Sequence, residues 1–547
     1  MKKIQYLFAT LVLGLGLSSC GDSFLEQYPE GGTLLEEQYQ NLPDKLQGAI
    51  FGIYSKLYEY GGHSTFGKRS IDMYTDLQSG DMAMKRSNYG WFENYERGYF
   101  YAYAASYIWS YYYDIINLAN LCDIAVANDE AAIRAAMTSG EEPTEAIAQN
   151  GYYYGQILAL RGWAYAGLLD IYTDPRDVNT ADLDAKAIPV YVGKDISAGT
   201  LGAPLSTVGE VYDRVYEDLS DAIELLDFYS KYMDRSSKLE IDADVARLIL
   251  AYAMLNHGDN SVIIADGKNC YQIALEQAKA VIDGGNYPLL KKKDLTSTGF
   301  ADIKAENWMW GEEVTVENTT ALGSFFGQVD IHTYSYAAAG DTKCIDDSLY
   351  SSIVSTKWDA RKEWFRDGEG NSAIGNGKNS SGFKYCPDGK FYSPKYKNVT
   401  DLDKVDRDWL CDQVFMRVES AYLIAAEAAW SNNDNATAVS YLKQLCDERV
   451  LDGKDTEYNA WLATLSSTDA VKNAIIYNWR VEMWGEGYSM QMLRRLQKTR
   501  TLGNNHLSRK NETIDITGQA AEQFQCEMPS SETRYNPSLS KTTLTQE

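Results

Sequence analysis

The chain has 547 residues, 45% of them hydrophobic, and carries 77 Asp and Glu against 51 Lys and Arg, a formal net charge of −26. A surface that acidic repels phosphate backbones, which excludes nucleic acid as a ligand class, and it disfavours polyanionic sugars unless a local basic patch offsets it; neutral ligands are the easier fit. Beyond the first twenty residues no apolar run approaches the roughly 18 residues of a membrane-crossing helix.

The chain opens as an export signal. Met1-Lys2-Lys3 is a positive start, residues 6–17 are a short apolar run, and Ser18-Ser19 are small residues set directly before Cys20. This layout predicts a lipoprotein signal over 1–19, cleaved before Cys20, whose thiol accepts the lipid. The competing reading is an ordinary signal peptide with an incidental cysteine; the polar Gly21-Asp22-Ser23 that follows favours a tether, assigned to 20–32. Each buried methylene adds about 0.8 kcal/mol, so two or three acyl chains hold a protein at a bilayer.

The remainder, 33–547, reads as one domain. Thr33 is a candidate cap for a helix carrying Leu46, Ala49, Ile50, Ile53, Tyr54 and Leu57 on one face and ended by Gly61-Gly62. Residues 74–98 are polar, aromatic and punctuated by glycine, and read as a surface loop. Apolar residues then recur at helical spacing over 106–127, 152–172, 207–229, 242–256 and 271–282, the last closed by Gly284-Gly285. These helices, joined by short connections, predict antiparallel pairs in a mainly α, tetratricopeptide-like repeat scaffold over 33–286. Trp109, Trp163 and Trp484 lie on helical stripes and are expected in the core. From 287 to 409 the helical pattern gives way to clustered Gly, Ser, Asn and Asp with scattered aromatics. This predicts an irregular excursion with short strands, too long for a bare linker and a natural place for a binding surface. Helices resume over 414–430, 435–450 and 471–496 within the scaffold segment 410–500, and 501–547 is a polar tail.

Chemistry-bearing residues are sparse. The seven cysteines after Cys20 (122, 270, 344, 386, 411, 446 and 526) show no C-x-x-C spacing, their number is odd, and the four histidines are isolated. Zinc ligation has no support, and the cysteines read as buried thiols. No cofactor is expected; the Asp- and Asn-rich stretch 174–184 is the one weak pointer to a structural Ca2+. The 41 tyrosines, beside 12 Trp and 15 Phe, suit platforms for sugar rings, and they equally suit packing between helices.

Three stretches carry a resemblance. Residues 480–487 read Arg-Val-Glu-Met-Trp-Gly-Glu-Gly. Met416-Arg417 precedes Tyr422-Leu423-Ile424 and Ala426-Glu427-Ala428. Near the end stand Met528-Pro529, Glu532 and Asn536-Pro537. With the Cys20 to Pro29 leader (including Phe24-Leu25) and Trp109, Tyr113, Ile116 and Asn120, the chain resembles the SusD/RagB family of outer-membrane lipoproteins along its whole length. The charges of 480–487 read as structural ion pairs, with Gly485 and Gly487 breaking or tightly packing the helix. Two departures stand out: Ser420 where the family usually has Glu, with Glu419 one place early, and Gln491 where it often has Asp. The turn between Tyr172 and Ile188-Pro189 is also longer than in the family.

The resemblance implies a cell-surface helical-repeat lipoprotein. It would sit over a SusC-like TonB-dependent outer-membrane transporter, bind glycans or peptides for import, and have no catalysis of its own. By region, it places candidate glycan contacts in Tyr89, Trp91 and Tyr95, with Asn88 and Arg86 beside them, and in Phe325, Tyr334 and Tyr336. A glycoside hydrolase would need carboxylates about 5 or 6.5–9.5 Å apart, and no G-x-S-x-G nucleophile motif occurs. A peptide-binding assembly or adhesion protein on the same scaffold is the other class open at this point.

Overall fold

The structure is a computed structural model and describes residues 45–98, 102–174, 183–193, 202–296, 300–320, 322–332, 335–375, 379–391, 410–517 and 524–539. Cys20, the leader, Tyr334 and most of the 174–184 stretch lie outside the described residues. The chain divides into two units, Met1–Lys45 and Leu46–Glu547. Apart from Lys45, the described elements belong to the second.

Thirteen helices of ten or more residues are described: α1 (Lys45–Leu57), α2 (Lys68–Ser79), α3 (Ala102–Val126), α4 (Glu130–Ser139), α5 (Glu145–Tyr172), α6 (Val208–Tyr229), α7 (Ala243–His257), α8 (Cys270–Gly284), α9 (Asp347–Thr356), α10 (Glu419–Ser431), α11 (Asn435–Asp447), α12 (Asp455–Thr464) and α13 (Thr468–Glu482). Packing runs α3 on α5, α5 on α6, α6 on α7, α7 on α8, α8 on α10 and α10 on α11. The array therefore continues across the long insertion between α8 and α10, as in a solenoid whose repeats bury one another's apolar stripes. Caps match the sequence signals: Thr207 and Glu210 form a capping box on α6, Asp242 caps α7, and Gly285 closes α8 in the left-handed region. Glycines set the closest approach. A Cβ on Gly151, Gly155 or Gly162 of α5 would lie 2.2, 2.9 or 2.8 Å from side chains of α6.

Among the described residues eight strands form four two-stranded antiparallel sheets: β1 (Met82–Met84) with β5 (Lys343–Ile345), β2 (Lys186–Pro189) with β3 (Leu205–Thr207), β4 (Trp308–Glu312) with β6 (Gln413–Arg417), and β7 (Thr499–Thr501) with β8 (Thr513–Asp515). Three readings of the sequence are corrected here. Residues 68–79, partly assigned to a surface loop, are a helix buried on every side. Residues 413–417 are a strand, and the helix begins at Glu419. The last long helix stops at Glu482, and after the Gly485-Glu486-Gly487 turn a short π-helical segment, Leu493–Gln497, follows. Helices α4 and α12 lacked a legible stripe; one residue of each is buried. Trp109 and Trp484 are buried as expected, whereas Trp163 is half-buried and lines a pocket of about 110 Å³. All seven cysteines after Cys20 are buried, and none of them forms a disulfide with another described residue.

The buried helix α2 explains the motif of 480–487. Arg69 donates to Asp72 at 2.8 Å and to the carbonyl of Gly485 at 2.8 Å. Asp76 accepts from the backbone N–H groups of Gly487 (3.2 Å) and Ser489 (3.3 Å). At its C-terminal end Arg500 donates to the carbonyl of Ser79 (2.8 Å) and Arg509 to those of Gln78 (2.9 Å) and Leu77 (2.8 Å), the last also accepting from Gly80 N (3.2 Å). The expected ion pairs exist, but their partners are distant in sequence. Arg480 pairs with Asp81 at 2.6 Å. Glu482 sits among Arg361, Arg417 and Arg449, and Glu486 pairs with Arg417 and Lys390. Glu419 joins the same cluster through Arg417 and Arg449, while Ser420 donates to the carbonyl of Arg417. Gln491 donates to the carbonyl of Asp170 at 2.8 Å. The closing motif is structural too: the Asn536 amide donates to Ala203 O at 2.9 Å and to Glu532 at 2.8 Å.

Candidate functional site

The β1–β5 ladder sets the site. Its register pairs Met84 with Lys343, so the segment leaving β1 and the segment entering β5 emerge side by side. The first carries Arg86, Asn88, Tyr89 and Trp91; the second carries Tyr336 and Asp341. Asp341 ties them together, since its Oδ1 accepts from the backbone N–H of Tyr89 at 2.9 Å and from that of Asn88. The Asn88 amide donates to Ala339 O at 2.6 Å and its oxygen accepts from Arg86 Nε at 3.2 Å. Gly340, at φ 115°, is required here: a Cβ would fall 2.1 Å from the Asn88 amide nitrogen.

The result is a continuous aromatic patch. Tyr89 meets Tyr336 edge-on with centroids 5.1 Å apart, and Trp91 meets Tyr336 at 6.3 Å. His63 lies between them, 5.0 Å from Trp91 and 5.4 Å from Tyr336, and Tyr60 extends the row at 6.0 Å. Tyr60 and Tyr89 are 52% and 47% exposed, His63 and Trp91 are half-buried, and Tyr336 is buried beneath them with its hydroxyl 2.9 Å from His63 Nδ1. Under the patch Gln328 donates to His63 O at 2.9 Å and accepts from Lys343 Nζ at 2.6 Å. Burial pushes the Lys343 ammonium down to about 7 against the opposing pull of Asp341. Its Nζ also lies 4.9 Å from the centre of the Phe92 ring.

The structure therefore gathers Arg86, Asn88, Tyr89, Trp91 and Tyr336 on one face. Tyr95 and Phe325 do not belong to it and are corrected to core residues. Both are wholly buried, Tyr95 stacked 4.1 Å from Tyr74 and Phe325 under the Arg69 guanidinium at 4.0 Å. Tyr95 is drawn inward because residues 93–96 turn back as a single helical turn. His63 and Tyr60 were missed because Gly61-Gly62 reads as a helix stop; a histidine flanked by aromatics just past that stop was the available signal. Among the described residues no group of three or more His, Cys, Asp or Glu is arranged to hold a metal ion, and no helix is long and apolar enough to cross a membrane.

A family model described as "Starch-binding associating with outer membrane" matches residues 24–250, and the SusD family model matches residues 300–541. No protein of curated function matches the sequence. Among solved structures, a SusD-like carbohydrate binding protein from Bacteroides vulgatus aligns at 22% identity with TM-score 0.68, over 91% of this chain and 97% of that one. SusD superfamily proteins from Bacteroides thetaiotaomicron (18%, TM-score 0.66, 91% and 98%) and Bacteroides fragilis (20%, TM-score 0.66, 91% and 99%) share the fold. With helical array, insertion and motif contacts in agreement, the chain belongs to the SusD/RagB family.

Proposed function

We propose that this protein is a non-enzymatic, glycan-capturing lipoprotein of the outer membrane, anchored through Cys20, that hands neutral oligosaccharide to a SusC-like TonB-dependent transporter. The observation that carries this reading is the aromatic row Tyr60–His63–Trp91, joined to Tyr89 through Tyr336, exposed at Tyr60 and Tyr89 and half-buried between them. Sugar rings present C–H groups on their faces and hydroxyls at their rims, so they favour aromatic planes edged by polar groups. Arg86 and Asn88 supply such an edge, and both side chains are exposed. The family descriptions, one of them naming starch and the outer membrane, support the ligand class and the location.

Affinity electrophoresis of the full mature chain through gels containing starch or other neutral polysaccharides tests the reading. Retardation by at least one of them is expected. Tyr89→Ala or Trp91→Ala should weaken it about tenfold, the scale of losing one aromatic anchor. Equal retardation of the double variant refutes the site, and retention on immobilised peptides with none on glycans refutes the ligand class.

A further inference from the structure

The aromatic patch has two walls, and one buried histidine ties their feet together. His506 is completely buried, with Nδ1 3.1 Å from Glu96 Oε1 and Nε2 3.1 Å from Asp346 Oδ2; both carboxylates are also fully buried. Glu96 ends the segment that starts after β1 and carries Tyr89 and Trp91, and Asp346 directly follows β5, which leads out of the Tyr336 and Asp341 wall. The β1–β5 ladder fixes where the 85–96 loop begins. The Glu96–His506–Asp346 triad fixes where it ends.

The chemistry of this triad requires a cation. A neutral imidazole has one N–H, so one ring nitrogen would turn a lone pair on a carboxylate in the interior; with both nitrogens protonated, each donates to an anion. The two carboxylates are held as acceptors by other donors. Glu96 accepts from the backbone N–H groups of Leu507 (2.9 Å) and Ser508 (3.3 Å), and Asp346 from those of Gly503 (2.5 Å) and Leu349 (2.8 Å) and from the Ser348 hydroxyl. The other charged or titratable groups close by have their own contacts. Arg509 donates to Glu96 O at 2.6 Å, Arg500 pairs with Asp81 at 3.1 Å, and Asp347 accepts from Asn504 N at 2.8 Å. The Cys344 thiol meets Ala83 O at 3.4 Å. The ring nitrogens face different carboxylates and do not converge with them on a shared point, so the triad is a clamp and not a metal site.

We infer that His506 is a positioning residue for the aromatic patch: as an imidazolium it pins the foot of the 85–96 loop to the end of β5 and so keeps the two ring-bearing walls in register. Its place in ligand capture rests on the glycan reading of the patch; the clamp itself does not. Burial works against the His506 charge, but hydrogen bonds and attraction from Asp346 and Glu96 outweigh it and raise the ring above its ordinary 6.5. A raised folded value means that the clamp is complete below about 6.5 and is lost as pH rises through the folded value. Burial likewise works to raise Asp346, yet bonds from His506, Ser348 and Gly503 hold it at about 2, so the Asp346 side of the clamp stays an acceptor until acid near that value.

Hydrogen exchange read by mass spectrometry on the full mature chain tests this without a ligand. Protection of residues 85–96, corrected for intrinsic rates and referenced to α6, should fall about tenfold between pH near 6 and pH near 9, the scale of losing one charge-assisted hydrogen bond. His506→Gln should show the low protection at both pH values and no pH response. Glu96→Gln, which keeps the histidine, should shift the response to lower pH and serves if His506→Gln fails to fold. Constant wild-type protection, a pH response surviving in His506→Gln, or ring-nitrogen NMR showing a neutral tautomer below pH 6 would each overturn the clamp. Because these readouts need no sugar, absence of glycan binding sinks the reading of the patch and leaves the clamp standing.

Discussion

Replacing Glu482 by glutamine removes one anion from a wholly buried cluster in which Arg361, Arg417, Arg449 and Lys390 face Asp359, Glu419, Glu482 and Glu486. Glu482 takes 2.8 Å contacts from Arg417 and Arg449 on one oxygen, and contacts from Arg449 (2.9 Å) and Arg361 (3.2 Å) on the other. Burial opposes its charge, yet Arg449, Arg417 and Arg361 hold its carboxyl well below the usual range, so it is anionic at neutral pH. Glutamine keeps the shape but leaves one cation uncompensated and turns an N–H₂ toward the guanidinium groups. Breaking a buried pair in this way costs about 3–5 kcal/mol. Unfolding entropy near 2.1 cal/mol/K per residue, over roughly 500 residues, is about 1 kcal/mol/K, so Tm should drop by about 3–5 °C. Scanning calorimetry at neutral pH measures it, with Asp283→Asn, which removes the exposed Lys279–Asp283 pair, as the control expected to move Tm by less than about 1 °C. If Glu482→Gln moves Tm no more than that control, the cluster is not what holds α10, α13 and the insertion together.

Further outcomes follow from the same contacts. Gly487 sits at φ 85° with Asp72 Oδ1 2.5 Å from where a Cβ would stand, so Gly487→Ala should destabilise by about 1–3 kcal/mol in chemical denaturation. Asp76 is fully buried, and desolvation, with Asp72 and Asp81 adding to it against hydrogen bonds from Gly487 and Ser489, pushes its carboxyl up to about 7. A raised carboxyl favours the folded state when protonated, so its contribution should fall as pH rises from about 4 to about 7, and Asp76→Asn should flatten that part of a Tm-against-pH curve. The seven cysteines after Cys20, all buried, should resist a thiol reagent in the native protein and react only on denaturation.

Much of the scaffold could be read because its helices obey local rules. Thr207, Asp242 and Gly285 cap where their residue types predict, and the stripes of α6 and α7 place Val211, Val215, Leu219, Val245 and Ile249 in the core. The helix α2 defeated that reading because its buried face is its whole surface. Ile71, Tyr74 and Leu77 mark one side only; the polar side is buried as well, and its hydrogen-bond partners are Gly485, Gly487, Arg500 and Arg509, more than 400 residues along the chain. At the patch, residue type was enough to select Trp91, Tyr89 and Tyr336. It was not enough to separate them from Tyr95 and Phe325, which are equally aromatic and differ only in which way the backbone turns.

The sequence by itself determined the array of capped helices, the long interruption within it, and the motifs that mark the family, because caps, periodicity and glycine placement act over a few residues. Tertiary structure alone decided which charges pair, which rings reach the surface, and that His63 packs against Tyr336 and His506 between Glu96 and Asp346, all far along the chain. Those choices depend on burial and on partners brought from elsewhere, and neither is written in any short stretch of chain.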